Sequence, residues 1–192
     1  MRLVLDWDGT VTVRDSLVAC VRTFGDPGVY DRRFASYGEG LAAEVGTIRA
    51  SADEVAAWAT ENVQVRPGFA ELVRRHDPIV VSSGLPQLIG PVLRREGIDV
   101  ELRSNDAEPS PEGWRLRFRE PGLCPVCGDK CKRPWLPDER PLVYVGDGVS
   151  DRCAALASDR VFARDELALY LDDQGRAYER FDTLDDVAAA LT

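Results

Sequence analysis

The sequence predicts an α/β protein: a Rossmann-like parallel sheet with helices on both faces, plus a small helical cap inserted after the first strand. Short apolar runs typical of buried strands alternate along the chain with helical patterns, as in parallel sheets. Three of these runs end in polar or acidic residues. A long helical stretch follows the first run and exceeds the length of a simple crossover.

The first strand is predicted over residues 2–7, a short apolar run that ends in acidic residues. Helical patterns then extend from residue 16 to about residue 62. Within them, Ser51 and Glu54 have the spacing of a capping box, which predicts the start of a helix. Residues 66–68, Arg-Pro-Gly, predict a turn at the end of this stretch.

These elements define two predicted regions. Residues 14–65 form the helical cap. Residues 1–13 and 66–192 form the Rossmann-like core, because the strand patterns lie on both sides of the helical stretch. We expect loops near Val13 and Arg66 to join the two regions.

The rest of the chain continues the alternation of strands and helices. Apolar runs predict buried strands, and strict alternation around a polar, proline-rich turn predicts a hairpin. In chain order the predicted elements are a helix to about 76, a strand over 78–83, a helix over 85–96, a hairpin of 100–103 with 114–119, a strand over 142–145, a helix over 150–157, a strand over 161–163, and helices over 166–171 and 184–191.

Composition excludes several classes of protein. The 192 residues are 44% hydrophobic and 30% charged, which is ordinary for a globular chain. The net charge of −9 has the wrong sign for binding nucleic acid. Apolar runs are far too short to span a membrane, and the first strand runs directly into Asp6. We therefore expect a soluble, cytoplasmic protein that binds neither nucleic acid nor membranes.

The acidic balance also bears on small ligands. An anionic substrate needs a local cation here, because the overall field repels it. Nearly all of the 24 basic residues are arginine, and the two lysines are Lys130 and Lys132. Their proximity in a cysteine-rich stretch favours a specific role for a lysine.

Acidic residues follow two of the predicted strands. Asp6 and Asp8 end the first strand, and Asp147 and Asp151 follow the strand over 142–145. Ligands of open parallel sheets bind beyond the carboxyl ends of the strands, so these side chains are expected to meet. Carboxylate oxygens suit Mg²⁺, and the sequence predicts a magnesium site at this edge.

These motifs follow one another in a family-specific order. The order is Asp6-x-Asp8-Gly9-Thr10, Ser82 after an apolar strand, a lysine, and Gly146-Asp147-x3-Asp151. In this the sequence resembles the haloacid dehalogenase-like phosphatases. The helical insert resembles the cap of their phosphoserine-phosphatase-like subgroup. The cysteine-rich lead into Lys132 and the stretch 161–165 are similar to the methionine-salvage diketo-methylthiopentyl phosphate phosphatases.

The resemblance implies a magnesium-dependent phosphatase that hydrolyses a small phosphorylated metabolite through an aspartyl-phosphate. Asp6 would attack phosphorus. Asp8 would protonate the leaving oxygen and later deprotonate the attacking water. Mg²⁺ would be bound by Asp6, the Asp8 backbone carbonyl and Asp147. Asp151 would orient the lysine or the metal shell.

The phosphate-binding residues are implied in the same way. Ser82 and the backbone N–H groups near Ser83 and Gly84 would hold phosphate oxygens, and Lys132 would neutralise the transferring group. Two alternatives stay open: Ser83 in place of Ser82, and Lys130 in place of Lys132, since Lys132 precedes the expected helix.

Asp15 is the candidate for substrate specificity. It matches the position where phosphoserine phosphatases have a glutamate that meets the substrate ammonium group. Alternatively, Asp15 caps the helix that begins at Ser16. The shorter side chain and the cysteine-rich loop favour a neutral sugar-like or ketone phosphate over phosphoserine.

Three cysteines have a spacing that is compatible with zinc: Cys124, Cys127 and Cys131. A structural zinc site needs four ligands, and the sole histidine, His76, is predicted to lie elsewhere. Cys20 or Cys153 could supply the fourth ligand, although both have the pattern of small buried helix residues. We favour a loop of reduced cysteines that shapes the entrance to the site.

Other functions fit the same motifs. Phosphoserine phosphatases, phosphomutases and other phosphotransferases of the superfamily also keep both acids of the first motif. A non-catalytic, zinc-stabilised binding module is disfavoured because every motif acid is present. The substrate and the oligomeric state are not readable from the sequence.

Overall fold

The computed structural model of the protein describes residues 1–191, so Thr192, the last residue of the predicted core, lies outside the described residues. Its main sheet has six strands in the order β3-β2-β1-β6-β7-β8, and every neighbouring pair is parallel. The strands of this sheet are β1 (Arg2–Leu5), β2 (Ile79–Ser82), β3 (Glu101–Ser104), β6 (Leu142–Gly146), β7 (Arg160–Ala163) and β8 (Glu179–Arg180). A separate antiparallel pair is formed by β4 (Asp106–Glu108) and β5 (Arg115–Arg117).

Eight α-helices connect these strands in the described part of the chain. They are α1 (Ser16–Phe24), α2 (Tyr37–Val45), α3 (Ala52–Asn62), α4 (Phe69–His76), α5 (Pro86–Glu96), α6 (Arg152–Leu156), α7 (Asp165–Asp173) and α8 (Leu184–Ala190). Ser51 and Glu54 form the predicted capping box at the start of α3. Side-chain oxygens of Asp15 and Ser36 similarly accept backbone N–H bonds at the starts of α1 and α2.

The sheet is covered on both faces. Alternate residues of the central strands enter two different apolar clusters, as expected for a pleated strand that is buried on both sides. Leu3 and Leu5 of β1 pack with α4, α5 and α8, whereas Val4 packs with α6 and α7. The predicted α/β fold class is thereby confirmed.

Residues 14–65 contain three helices, as the sequence predicts. The chain segments that enter and leave this region pair with each other: Val13 N–H donates to Gln64 O (2.9 Å), and Arg66 N–H donates to Val11 O (2.8 Å). Helix α3 packs on α5. Apolar residues of α1, α2 and α3 share one cluster with β1. The division into cap and core stays a prediction.

Three details differ from the sequence-based expectation. The first strand ends at Leu5, because the chain turns sharply over residues Trp7–Val11, where Asp8 and Gly9 have non-helical backbone angles. Residues 100–103 do not pair with 114–119: β3 is a parallel edge strand of the main sheet, and the hairpin joins β4 to β5. Alternation was misleading here because an edge strand is also exposed on one side. The short strand β8 was not predicted.

Within residues 1–191, no helix has the length and apolarity that a membrane crossing requires.

Candidate active site

The first motif turns sharply after β1. Gly9 in this turn has a φ of +77°, and a Cβ atom placed on it would lie 2.2 Å from Oδ2 of Asp147. Only glycine satisfies both the backbone angle and the close approach. Thr10 Oγ1 donates to Oδ1 of Asp147 at 2.7 Å. The turn after β1 is thus fitted directly against the acid that follows β6.

Arg66 holds this turn in place. Its buried guanidinium donates to the carbonyl oxygens of Gly9 and Thr10, both at 2.9 Å, and to Asp182 O at 2.9 Å. Three backbone acceptors on two segments are therefore satisfied by one side chain. Arg66 was expected only to lie near a loop between the two predicted regions, and the structure shows that its side chain also fixes the motif turn.

Lys132 lies at the centre of the site and is almost fully buried. Its Nζ contacts the carboxylate of Asp6 and donates to Oδ1 of Asp151 at 2.7 Å. Burial opposes the charge, but the two carboxylates outweigh it and raise the pKa of Lys132. The lysine is thus a fixed cation between two acids.

Asp151 is surrounded by hydrogen-bond donors. In addition to Lys132, Tyr144 Oη donates to Oδ1 (2.6 Å), and the backbone N–H groups of Asp147 and Gly148 donate to Oδ2 (3.0 and 2.9 Å). Burial alone would raise the pKa of Asp151, but Lys132, Tyr144 and the backbone donors hold it below its usual range. Asp151 is therefore a charged anchor for the lysine.

Asp6, Asp147 and Asp151 form a cluster in which one oxygen from each lies within 4.8 Å of the others. Burial and the charge of Asp151 raise the pKa of Asp6 well above its usual value and that of Asp147 to about 6. A single lysine does not balance two buried carboxylates and a half-buried one. The donor set therefore fits a hard divalent cation, whose charge would restore the ionised forms.

Asp8 lies beside this cluster but its carboxylate has different partners. Oδ1 accepts from the backbone N–H of Ser16 at 2.7 Å and from the Ser16 hydroxyl. Burial and the nearby Asp15 raise the pKa of Asp8 to about 7. A Cβ atom on Gly84 would lie 2.9 Å from Oδ2 of Asp8, so a side chain at Gly84 would displace Asp8.

The loop after β2 also lines the site. Ser82 is fully buried, and its Oγ accepts from the Gly84 N–H at 2.9 Å. Ser83 lines the cavity, and the phenol of Tyr37 in α2 hydrogen-bonds to the side chains of Ser83 and Ser150. Both predicted serines are at the site, with Ser82 beneath it and Ser83 at its surface.

These residues enclose an open cavity of about 290 Å³. Asp6, Asp8, Lys132 and Asp147 line one side. The other side is formed by residues from the predicted cap: Asp15, Leu17, Val18, Tyr37, Leu41 and Glu44. The cavity can therefore hold a phosphate at the sheet edge and a small leaving group under the helices.

Sequence comparison matches residues 3–156 to the model of the haloacid dehalogenase-like hydrolase family. The chain belongs to this family. The expectation of a phosphatase within it is confirmed by the relatives. An Exiguobacterium sibiricum protein named 2-hydroxy-3-keto-5-methylthiopentenyl-1-phosphate phosphatase is 27% identical, with 100% of this chain and 96% of the relative covered.

Two further similarities cover most of the chain. Pdp3-interacting factor 1 of Schizosaccharomyces pombe is 28% identical over 95% of this chain and 90% of that protein. A phosphoserine phosphatase structure, described as a phospho-aspartyl intermediate analogue, superposes with a TM-score of 0.71 at 14% identity and covers 98% and 97% of the two chains. At that identity, the structural similarity shows the fold alone.

Two predicted alternatives in this hydrolase are separated by position. Lys130 Nζ donates to the carbonyls of Glu120, Pro121 and Gly122 at 2.7–2.8 Å, away from the carboxylates. Lys132 is the lysine that contacts Asp6. Arg49 of the predicted cap donates to Gly46 O and Ile48 O and is not among the cavity-lining residues.

The interpretation of Asp15 as a helix cap is confirmed, whereas its role in substrate specificity stays a prediction. Its Oδ1 accepts from the Val18 N–H at 2.7 Å and caps α1, and the residue also lines the cavity. Burial raises the pKa of Asp15, and burial together with Asp15 raises the pKa of Glu44 to about 7. The substrate side of the cavity is therefore acidic as well as apolar.

Sequence reasoning missed two of the supporting residues. Tyr144 orients Asp151, and Ser16 orients Asp8. Each lies within eight residues of a motif acid, but nothing in its type distinguishes it from neighbouring residues of the same strand or helix. Only the tertiary structure identifies these partners.

The cysteines form a second cluster close to the first. The cysteine loop, residues 124–131, brings three thiols together, and Cys153 of α6 joins them. Cys20 lies elsewhere in the apolar core. Burial opposes ionisation of Cys124, but the backbone N–H groups of Cys127 and Val126, with the neighbouring thiols, lower its pKa to about 7. Cys153 is buried in α6, as predicted, and of the two candidates for a fourth ligand it is the one that lies beside the loop cysteines.

Proposed function

We propose that this protein is a magnesium-dependent phosphomonoesterase that hydrolyses a small phosphorylated metabolite through an aspartyl-phosphate on Asp6. The observation that carries the proposal is the position of Asp6. Its carboxylate lines an open cavity, is held by Lys132, and lies in a cluster with Asp147 and Asp151. A carboxylate fixed beside a buried cation can approach a phosphate dianion that would otherwise repel it.

Asp6 is the proposed nucleophile. Two donors, Lys132 Nζ and the Trp7 N–H (2.6 Å), fix its orientation. One of its oxygens forms a bond to phosphorus as the bond from phosphorus to the leaving oxygen breaks. Water then attacks the aspartyl-phosphate, releases inorganic phosphate and restores the carboxylate. Covalent catalysis splits one displacement into two easier ones.

Asp8 is the proposed general acid and base. Its carboxyl group lines the same cavity beside Asp6, and Ser16 fixes its orientation through two hydrogen bonds. In the first step it gives its proton to the leaving oxygen. In the second step the resulting carboxylate takes a proton from the attacking water. Such transfers contribute roughly a hundred- to ten-thousand-fold to rate.

The remaining residues bind the transferring group. We assign the phosphate oxygens to the Ser82 hydroxyl, the N–H groups near Ser83 and Gly84, and Lys132. Donors that are already positioned stabilise negative charge as it develops, without reorganisation. Asp151 keeps Lys132 in place through the 2.7 Å contact.

Mg²⁺ is the proposed cofactor. Asp6, Asp147 and the Asp8 backbone carbonyl would bind it, with Asp151 near its outer shell. When bound, the ion offsets the charge of the approaching carboxylate and phosphate. The raised pKa values of Asp6 and Asp147 are consistent with a site that is completed by a cation.

The substrate is proposed to be a phosphate ester with an uncharged, partly apolar leaving group. Leu17, Val18 and Leu41 face the cavity beside Asp15 and Glu44. Relatives that cover the whole chain are named as phosphatases of a methylthiopentenyl phosphate, an ester of this kind. Carboxyl groups that retain a proton can hydrogen-bond to a hydroxyl or ketone oxygen of such a substrate.

The test is phosphate release from a panel of phosphorylated metabolites, assayed with and without Mg²⁺. The panel includes phosphoserine, sugar phosphates and hydroxyketone phosphates. We expect magnesium-dependent release, with the highest kcat/KM for a neutral hydroxyketone or sugar-like ester. No release from any ester would contradict the phosphatase. Preference for phosphoserine would contradict only the substrate class.

A further inference from the structure

Four cysteine sulfurs surround a common point beside the active site. The Sγ atoms of the three loop cysteines and Cys153 all lie within 4.8 Å of one another, and those of Cys124 and Cys153 are 3.9 Å apart. A tetrahedral zinc with Zn–S bonds of about 2.3 Å separates its sulfurs by roughly 3.8 Å. A disulfide instead requires a sulfur separation of about 2.05 Å.

We propose that Cys124, Cys127, Cys131 and Cys153 bind one structural Zn²⁺ ion. Four thiolate ligands complete the coordination of zinc and leave no position open for substrate, which is the property of a structural site. Soft thiolates also select zinc over the magnesium that suits the neighbouring carboxylates. The inference is independent of the proposed phosphatase chemistry.

The backbone of the cysteine loop is folded to direct its thiols inward. The Cys124 N–H donates to Asp129 O and the Gly128 N–H to Cys124 O, both at 2.9 Å. Gly128 has a φ of +74°, which allows the chain to reverse directly after Cys127. These bonds close a tight turn around the first two ligands.

The ligands have the burial and charge expected of a metal centre near the surface. Cys124 and Cys153 are buried, Cys131 is half-buried, and Cys127 is exposed, which leaves a path for the ion to enter. The Arg133 guanidinium interacts with the Cys153 side chain, and its positive charge would offset part of the excess charge of four thiolates on one Zn²⁺.

The position of the site gives zinc a role. Cys131 directly precedes Lys132, and Cys153 follows Asp151 by two residues. The ion would therefore tie together the two segments whose side chains meet in the 2.7 Å contact between Lys132 and Asp151. Asp129 of the same loop accepts from the Tyr37 N–H (2.7 Å) and Gly38 N–H (3.2 Å) at the start of α2.

Zinc thus positions three parts of the site at once: the lysine, its acidic anchor and the helix that covers the cavity. Without the ion, the cysteine loop keeps only its turn bonds and the contacts of Asp129 and Lys130. The main competing chemistry is a disulfide between two of the thiols, and it predicts a different composition and mass.

The test is elemental analysis of the full chain, purified under reducing conditions with no added metal, together with intact mass and a thiol count under denaturing conditions. We expect one equivalent of zinc per chain and five free thiols after the metal is removed. A zinc-free protein with five free thiols would overturn the proposal. So would a mass lower by two hydrogens, the mark of a disulfide.

A matched pair of variants assigns the ligands. Cys127→Ala removes an exposed thiol of the cluster, and Cys20→Ala removes a thiol from the apolar core. After dialysis, zinc should be lost from Cys127→Ala and retained in Cys20→Ala. Equal zinc content in the two variants would overturn the assignment.

Co²⁺ substitution gives a readout that does not depend on folding of a variant. The wild-type chain reconstituted with Co²⁺ should show thiolate-to-metal charge-transfer bands and the intense visible bands of tetrahedral cobalt. Weak bands of an octahedral oxygen site, with no charge-transfer absorption, would contradict a four-cysteine centre.

Discussion

The carboxylate cluster and the cysteine cluster are adjacent but built in different ways. The first gathers hard oxygen atoms at the carboxyl ends of β1 and β6 and opens into the cavity. The second gathers soft sulfur atoms from a loop and one helix, and its four potential ligands leave no room for a substrate. An oxygen site that opens into a cavity is suited to a reaction with a substrate, whereas a closed sulfur site is suited to stabilising the surrounding fold.

The two clusters meet at two short segments. Residues 131–132 place a cysteine next to the lysine, and residues 151–153 place an aspartate two positions from a cysteine. Each segment therefore contributes one cysteine to the second cluster and one residue, Lys132 or Asp151, to the active site. Neighbouring residues of the chain can thus serve two purposes, one in the reaction and one in holding the reacting groups in place.

Loss of the nucleophile should have the largest effect and should affect one cluster only. Asp6→Asn is expected to abolish turnover, because an amide is a poor nucleophile and a weaker metal ligand. Zinc content and circular dichroism should be unchanged, since the cysteines are not altered. Near-wild-type phosphate release by the purified variant would contradict the role of Asp6.

Loss of the proton donor should be large but incomplete. Asp8→Asn keeps an acceptor for the Ser16 bonds, so the fold should persist, while turnover of an alkyl phosphate falls roughly a hundred- to ten-thousand-fold. First-turnover release of the leaving group from p-nitrophenyl phosphate should fall less, because that group departs without a proton. Equal losses for both substrates would argue against general acid catalysis by Asp8.

A substitution in α2, which lines the cavity, should alter the selectivity between substrates more than the rate of the chemical step. Tyr37→Phe removes the phenol that hydrogen-bonds to Ser83 and Ser150. The ratio of kcat/KM values between two substrates should shift, while the magnesium requirement and zinc content remain. Tyr178→Phe, which removes a phenol that donates to Asp172 (3.1 Å) and does not line the cavity, is the control. An unchanged ranking of substrates would place specificity elsewhere.

The smallest expected effect is on the pH dependence of the free energy of unfolding. Burial and Asp15 raise the pKa of Glu44 from 4.5 to about 7. The folded state therefore holds the proton more tightly than the unfolded chain, and stability declines as pH rises from about 4.5 through 7. Glu44→Gln removes that decline.

After allowance for the partial exposure of Glu44, we expect the variant to be more stable than wild type at pH 8 by about 1 kcal/mol. The difference should be close to zero at pH 5, and urea denaturation at the two pH values measures it. Glu61→Gln, at the exposed end of α3, is the control for the loss of a surface carboxylate. If Glu44→Gln increases the free energy of unfolding by the same amount at pH 5 and pH 8, the raised pKa of Glu44 is contradicted.

Sequence patterns were informative wherever the determinants are local. Asp6 and Asp147 were placed at one edge because each follows an apolar run, and parallel strands end at the same side. The capping box at Ser51 was readable for the same reason, since both of its hydrogen bonds span three residues.

The patterns failed where partners are distant. Cys153 lies 22 residues after Cys131, and its helical surroundings gave no sign that it faces the cysteine loop. The predicted hairpin of residues 100–103 with 114–119 was wrong, and the observed pair is β4 with β5. Period-two alternation identifies a strand with one buried face, but it does not identify the strand with which it pairs. The roles assigned to the site residues stay predictions, because proximity does not measure chemistry.

We expect the two clusters to hold their ions differently: the carboxylates bind an exchangeable ion, and the cysteines bind an ion that they retain. This difference is tested by measuring metal content and phosphate release in one sample before and after brief chelation. We expect activity to vanish while one zinc per chain remains, and to return with Mg²⁺ alone and without refolding. Full activity after complete removal of magnesium, or recovery only with added zinc, would contradict the claim.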